Sequence, residues 1–439
     1  MENKKPEREP LSLDRLSIII SIALGVVQIM QAIREDAGML YIVGVPTVIA
    51  LLVWVFYKVI RVKTLPKFLR FALLPLAVLV LFLVAKYLNT GEKTGQIFLE
   101  NVQVSLYAGN GADDVNEETS VGLLDTRFSG VGSLSVSDDT LYLADYGKLC
   151  VLENGTAILS DAQGGYSAQI VHCHDNSVYF LTDISPDSGE TSGDSPLYLS
   201  FVRIRDGEVS LLYQYETAIF DGRLMASFSD FAVASNGDIW FLEQNYALDY
   251  TILNRLPYDS ATDSYGLQEA YFPVQEFDIQ QTAQSRMAFD EADNLYISLP
   301  EKGQILRVDR KTIRSQEPGG NYTVFAGRER TGDSMLKPID GAAPTFCYPT
   351  SLAYLDGYLY VMDFDMVRRI AIRDGQASHC VTFAGKHSED KRDVGIARGS
   401  GNEVEFVAEN DEFLAVGEDE RVFLSDPKHR VIYLIRQMW

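Results

Sequence analysis

Beyond residue 90 the chain alternates apolar and polar positions in short runs bounded by turn residues, the period-two pattern of strands rather than helices. The stretch DDTLYLADYGKLCVL (138–152) returns as ADNLYISLPEKGQILRV (292–308) and again as LDGYLYVMDFDMVRRIAI (355–372). Each copy has a polar turn, an alternating strand with a Tyr near its start, a short polar break and a second strand. The aromatic-containing strand occurs six times, as TLYLAD (140–145), SVYFLTD (177–183), DIWFLEQ (238–244), NLYISLP (294–300), YLYVMD (358–363) and RVFLSD (421–426). An apolar strand precedes each copy, joined to it by turns such as SNGD or LDG that suit tight hairpins. A third strand follows most copies (KLCVLE, YLSFVRIR, QILRVD, VRRIAIR, RVIYLI), and a fourth follows several of these (TAILS, VSLLY, TVFAG, VTFAG). The third repeat is the least regular, with TILNRLP and EAYFP standing in for its outer strands.

Four antiparallel strands repeated six times, at about 40–65 residues each, predict an all-β six-bladed β-propeller. The last repeat ends at RVIYLIRQMW without a fourth strand, while the spare strand VQVSLYAG (102–109) opens the domain. Placing 102–109 as the outer strand of the sixth blade closes the ring and removes its open end.

Before residue 90 the pattern changes to long apolar runs over 16–33, 39–57 and 68–88. Each has about the 17–25 residues that span a bilayer's hydrocarbon core. The third is free of charge from Phe71 to Ala85. The segment between the second and third runs carries Lys58, Arg61, Lys63, Lys67 and Arg70 with no acid, whereas REDAG between the first two carries one base and two acids. The positive-inside rule places residues 58–70 and the N-terminus in the cytoplasm and everything after the third run outside. The expected organisation is a cytoplasmic N-terminus (1–15), three transmembrane helices (16–88), a linker (89–101) and an extracytoplasmic propeller (102–439) in a multi-pass protein of the plasma membrane.

Charge sharpens this division. Residues 1–90 hold 11 Lys and Arg against 6 Asp and Glu, leaving 27 of the 38 basic and 55 of the 61 acidic residues to the rest. A surface that acidic repels phosphate backbones, so nucleic acid is not an expected partner. The cysteines, Cys150, Cys173, Cys347 and Cys380, form no C-x-x-C pair, and most read as reduced core residues.

The segment AGRERTGDSMLKPIDGAAPTFCYPTSLAYLDGYLYVMDFDMVRRIAI (326–372) resembles an NHL repeat: an Ala-Gly strand end, a Gly- and Asp-containing loop, a small-x-x-Phe-x-x-Pro approach, then a Tyr-containing hairpin. The first and last repeats match in part, and repeats two to four only in their strand core. The resemblance implies a fold rather than an activity.

In such a ring, the loops from outer to next inner strand share a face with those between second and third strands. The long segments 110–130, 328–348, 386–410 and DISPDSGETSGDSP (183–196) fall on that face, and loops of this length are often functional. Arg127, Arg328, Arg330 and Asp340 lie in them and are the candidate binding residues. Asp145, Asp183, Asp363 and Asp426, which follow the aromatic strands, read as turn caps. His172 and His174 share one face of a strand and are weak candidates for half a metal site, with no third ligand indicated. No nucleophile elbow, P-loop or H-E-x-x-H occurs, and no cofactor is implied. The expected function is a membrane-anchored binding or scaffold module for a protein or cell-surface glycan, with helices that pair with another membrane protein. The alternative is a metal-dependent lyase or lactonase-type propeller enzyme. A sensor relaying ligand binding inward would have only about 15 residues before the first span as its output.

Overall fold

The structure is a computed structural model. It describes residues 95–438, except 113–119, 162–166, 185–196, 218, 221–222, 225, 246–249, 277–284, 315–321, 331–335 and 389–393. The chain divides into two compact units, Met1–Lys93 and Thr94–Trp439. The three expected transmembrane runs, the segment before them and most of 183–196 lie outside the described residues. Among the described residues, no helix is long and apolar enough to cross a membrane.

Six antiparallel sheets follow one another in the second unit. From inner to outer strand, blade 1 comprises Val131–Ser137, Thr140–Asp145, Lys148–Glu153 and Thr156–Asp161, with Ser120–Gly122 added outside. Blade 2 comprises Ser167–His174, Ser177–Ile184, Leu197–Arg205 and Glu208–Thr217. Blade 3 runs Ala226–Val233, Ile239–Asn245, Tyr250–Leu256 and Glu269–Glu276, so the two irregular outer strands do form. Blade 4 runs Met287–Phe289, Leu295–Leu299, Gln304–Val308 and Tyr322–Gly327. Blade 5 runs Pro349–Leu355, Tyr358–Asp363, Met366–Arg373 and Gln376–Ala384. Blade 6 takes Leu414–Val416, Val422–Asp426 and Val431–Gln437 from the end of the chain and Val102–Ala108 from its beginning. Val104 lies opposite Ile435 and Leu106 opposite Tyr433, so the first and last strands of the ring are hydrogen-bonded to each other.

The core sits between blades. Trp240 and Leu242 of blade 3 pack with Leu295 and Ile297 of blade 4. Tyr360 and Met362 of blade 5 pack with Val422 and Leu424 of blade 6. Every second strand therefore has a neighbouring blade on both sides, and in blades 4 and 6 this strand is buried throughout. The alternation read along these strands is correspondingly weaker than their burial, because a strand covered on both faces carries apolar residues on both.

The Ala-Gly motif has a steric cause. Gly109, Gly327 and Gly385 end outer strands at φ of +88°, +93° and +97°. A Cβ there would lie 2.5, 2.3 and 2.6 Å from the carbonyl oxygens of Arg430, Gly303 and Asp365, where only glycine fits.

An inner strand is an edge strand, and its outward N–H groups need partners. Blades 1, 3 and 5 supply them to blades 2, 4 and 6. Ser133 Oγ accepts from Val171 N (3.1 Å), Asp230 Oδ2 from Met287 N (2.7 Å) and Ser351 Oγ from Leu414 N (2.8 Å). Ser135 Oγ does the same for Cys173 N at 2.8 Å. These bonds hold adjacent blades in register around the channel.

Candidate functional site

The long-loop face carries the binding residues expected from the sequence, and the central channel holds a cavity. On the loop face the described part of 328–348 is tied down by Arg368, whose guanidinium is fully buried. Its Nε and Nη2 donate to Asp340 Oδ1 (3.1 and 2.6 Å), and its Nη1 donates to Asp363 Oδ2 (3.0 Å). The carbonyls of Thr345 and Ile339 take the remaining donors, each at 2.6 Å. All five guanidinium N–H groups are thus used, and the ring of Phe346 covers the plane at 4.6 Å. Burial raises the pKa of Asp363, opposed chiefly by the Arg368 charge beside it.

The four loop residues picked from the sequence have separate fates. Asp340 is buried; besides Arg368, it accepts from Thr382 Oγ1 (2.7 Å) and Ile97 N (2.6 Å), so its carboxylate serves the loop rather than the surface. Arg330 Nη2 donates to Glu301 Oε2 (2.9 Å), and Glu301 Oε1 accepts from the Tyr348 hydroxyl (2.7 Å). Arg328 is exposed and Arg127 half-buried. The structure brings none of the four into a common cluster with another.

The aspartates read as turn caps divide in a similar way. Asp426 caps its own turn through His429 N (2.9 Å). Asp145 and Asp363 instead reach back to the segment leading into their own blade, accepting from Ser129 N and Gly130 N and from Tyr348 N. Their role is to fix where the inner strand begins.

The channel holds a cavity of about 580 Å³. It runs along the inner strands from Arg286 and Phe413 to the first hairpin turns at Glu291 and Asp356. The turn residues Glu291 and Asp356 are exposed, whereas Asp230, Arg286 and Ser351 at the other end are buried. Phe231, Phe289 and Tyr354 form much of the wall between. His172 and His174 line it too, on the side toward blade 3, where His172 meets the Phe231 ring edge-on at 6.0 Å. His172 remains partly accessible to the cavity, yet enclosure by protein drives its pKa down to about 4, with His174 adding repulsion. Burial likewise lowers His174, opposed by Asp175 and Asp293. Both rings are neutral near pH 7 and are competent donors to a metal. Among the described residues, however, no group of three His, Cys, Asp or Glu is placed to hold one.

Arg286 was not among the residues singled out by sequence. Aligning the blades on the strand pairs Leu134–Leu143, Val171–Phe180, Phe231–Phe241, Met287–Ile297, Leu352–Val361 and Leu414–Leu424 brings Ser133, Ile170, Asp230, Arg286, Ser351 and Phe413 to one level of the channel. A basic residue among these is the signal, visible only once the inner strands are in register. Arg286 Nη1 donates to the carbonyl of Ser229 (2.7 Å), and its guanidinium lies 4.5 Å from the Phe413 ring centre, two blades away. Burial raises the Asp230 carboxyl to about 6, opposed by the Arg286 charge and by the N–H of Met287.

The fold has parallels among solved structures. A protein of unknown function from Bacteroides thetaiotaomicron is similar over 76% of each chain, at a TM-score of 0.52 and 12% identity. Weaker likenesses include an inactive variant of virginiamycin B lyase from Staphylococcus aureus with quinupristin (TM-score 0.40, 12% identity, 77% of this chain and 100% of that one). A putative glucose dehydrogenase from Thermus thermophilus is similar at 0.42 and 13% identity, over 76% of this chain and 100% of that one. At these identities the likeness concerns the fold alone. No protein-family model and no curated protein sequence matches the chain.

Proposed function

We propose that this chain is a membrane-anchored recognition module, an NHL-like propeller that binds a protein or cell-surface glycan through its long-loop face. The apolar runs at 16–33, 39–57 and 68–88 anchor it and pair with another membrane protein, the N-terminus lying in the cytoplasm and the propeller outside. One observation carries the binding reading: Arg368 holds Ile339, Asp340 and Thr345 of the long connection before blade 5. Backbone already held in one conformation loses little entropy on binding, so this part of the face is prepared for a partner. Within this reading Arg328, at the exposed start of that connection, contacts the partner. Arg330 and Asp340 shape the loop from beneath, and Arg127 belongs to the long segment leading into blade 1 on the same face. The metal-dependent lyase or lactonase alternative has no ligand set among the described residues, and no observation here favours it.

The test is crosslinking and capture from the native membrane, comparing the intact chain with an Arg328→Glu variant and with one lacking 110–130, 328–348 and 386–410. A partner captured by the intact chain and weakened by the charge reversal supports the reading. A partner retained without the loops assigns association to the N-terminal segment and refutes the loop-face site.

A further inference from the structure

Arg286 lies at the buried end of the channel cavity with part of its hydrogen-bonding capacity unused, and we infer that it receives the carboxylate of a small monoacid with an apolar, ring-sized body. A guanidinium has five N–H groups and does not lose its proton in a protein, so burying it calls for donors satisfied and charge countered. Here Nη1 is occupied by the carbonyls of Ser229 (2.7 Å) and Ser285 (3.4 Å), and Phe413 stacks on the plane. Among the described residues, Nε and Nη2 make no hydrogen bond, and no carboxylate lies within ion-pair distance of Arg286. The charges of Asp230, whose Oδ2 accepts from Met287 N, and of Asp411 act on Arg286 from beyond that distance. Arg286 is only 6% exposed, and what exposure it has is to the cavity it lines. The contrast with Arg368, whose five donors are all met by protein groups, marks Arg286 as a guanidinium left open to a ligand.

The walls define the rest of the ligand. Phe231, Phe289, Tyr354 and Val416 offer apolar surface beyond the guanidinium, and a volume of about 580 Å³ suits a small molecule. Exposed Glu291 and Asp356 at the other end disfavour polyanions such as nucleotides or sugar phosphates. A single carboxylate, desolvated against Arg286 with its apolar part among the rings, meets both conditions.

The experiment is ligand-observed NMR titration of the full chain at pH 7.5 with 3-phenylpropionate. The comparison probes are 3-phenylpropanol, 3-phenylpropylammonium and inorganic phosphate. For a fragment of this size, saturable binding with a Kd on the order of millimolar is expected for the acid, with at least about tenfold weaker binding of the other three. Arg286→Gln should weaken the acid at least about tenfold, while Arg286→Lys, which keeps the charge, should restore part of it. Asp230→Asn separates binding from mere folding, because Asn can still accept from Met287 N while the competing negative charge is gone. That variant should bind the acid several-fold more tightly. No saturable binding of 3-phenylpropionate, equal binding of the alcohol, amine or phosphate, an unchanged affinity in folded Arg286→Gln, or weaker binding by Asp230→Asn would each overturn the assignment.

Discussion

Replacing Glu412 by Gln is expected to make the protein more stable at neutral pH. Glu412 lies just before the inner strand of blade 6 and is 4% exposed. Its Oε1 accepts from Glu409 N at 2.8 Å, while Oε2 has no hydrogen-bond partner among the described residues. Burial raises its pKa to about 8, with the charges of Asp411 and Asp426 pushing the same way and the N–H groups of Glu409 and Glu412 pulling back. In the unfolded chain a Glu titrates near ~4.3. The folded state therefore binds more protons across this interval, and stability falls as pH rises from about 4.3 through 8. At pH 7 the side chain is largely protonated when folded and ionised when unfolded, a gap of about 2.7 pH units above the unfolded pKa. At ~1.36 kcal/mol per unit, the cost to folding is about 3–4 kcal/mol. Gln keeps the shape and the acceptor for Glu409 N without that cost. For a unit of this size the gain corresponds to a thermal midpoint roughly 5 °C higher. Thermal denaturation of both proteins from pH 5 to 9 is the assay. The wild type should lose stability steadily toward pH 8, and the Gln variant should flatten that slope between pH 6 and 8. A decline below pH 6 should persist in both, since Asp230 titrates at about 6 when folded. A Gln variant less stable than wild type at pH 8, or a wild type whose midpoint is level from pH 6 to 8, would refute the reasoning.

Two further outcomes follow from the buried polar groups. Arg368→Met should destabilise the propeller by about 3–5 kcal/mol, because it leaves the carboxylates of Asp340 and Asp363 buried without their cation; denaturant unfolding would show this, and a loss below ~1 kcal/mol would argue against the staple. The four cysteines are free thiols, and burial pushes Cys173 up to about 12 and Cys150, Cys347 and Cys380 higher still. In native protein Cys150, Cys347 and Cys380 should consequently react with a thiol reagent far more slowly than in denatured protein, which should yield four thiols without prior reduction; rapid native labelling of more than the half-buried Cys173 would contradict that burial.

How much of this was legible in the sequence depended on the range of the interactions involved. The sixfold aromatic strand was visible because Tyr142, Tyr179, Trp240, Tyr296, Tyr360 and Phe423 each serve the same packing between blades, so one local pattern had to recur. The Ala-Gly ends were visible for a related reason, since a φ that only glycine tolerates leaves its mark on the chain itself. The three apolar runs before residue 90 are equally local, a matter of length and charge. Asp340, in contrast, stood out only as a loop acid. Its partners Ile97, Arg368 and Thr382 are distant in the chain, and nothing in the segment 336–348 announces a buried guanidinium. His172 and His174 alternate along one strand and both line the channel, yet what else would face them depended on blade 3.

Arg286 shows the division most plainly. Sequence alone put it in a strand, where a charged residue has either face available. Ring closure by Val102–Ala108 and the shared register of six inner strands set it at one level with Asp230 and Phe413, lining a channel. Strand identity is set by period and propensity over a handful of residues, which the chain carries with it. The environment of a side chain in the channel is set by six strands from the whole length of the propeller at once, and only the tertiary structure determines it.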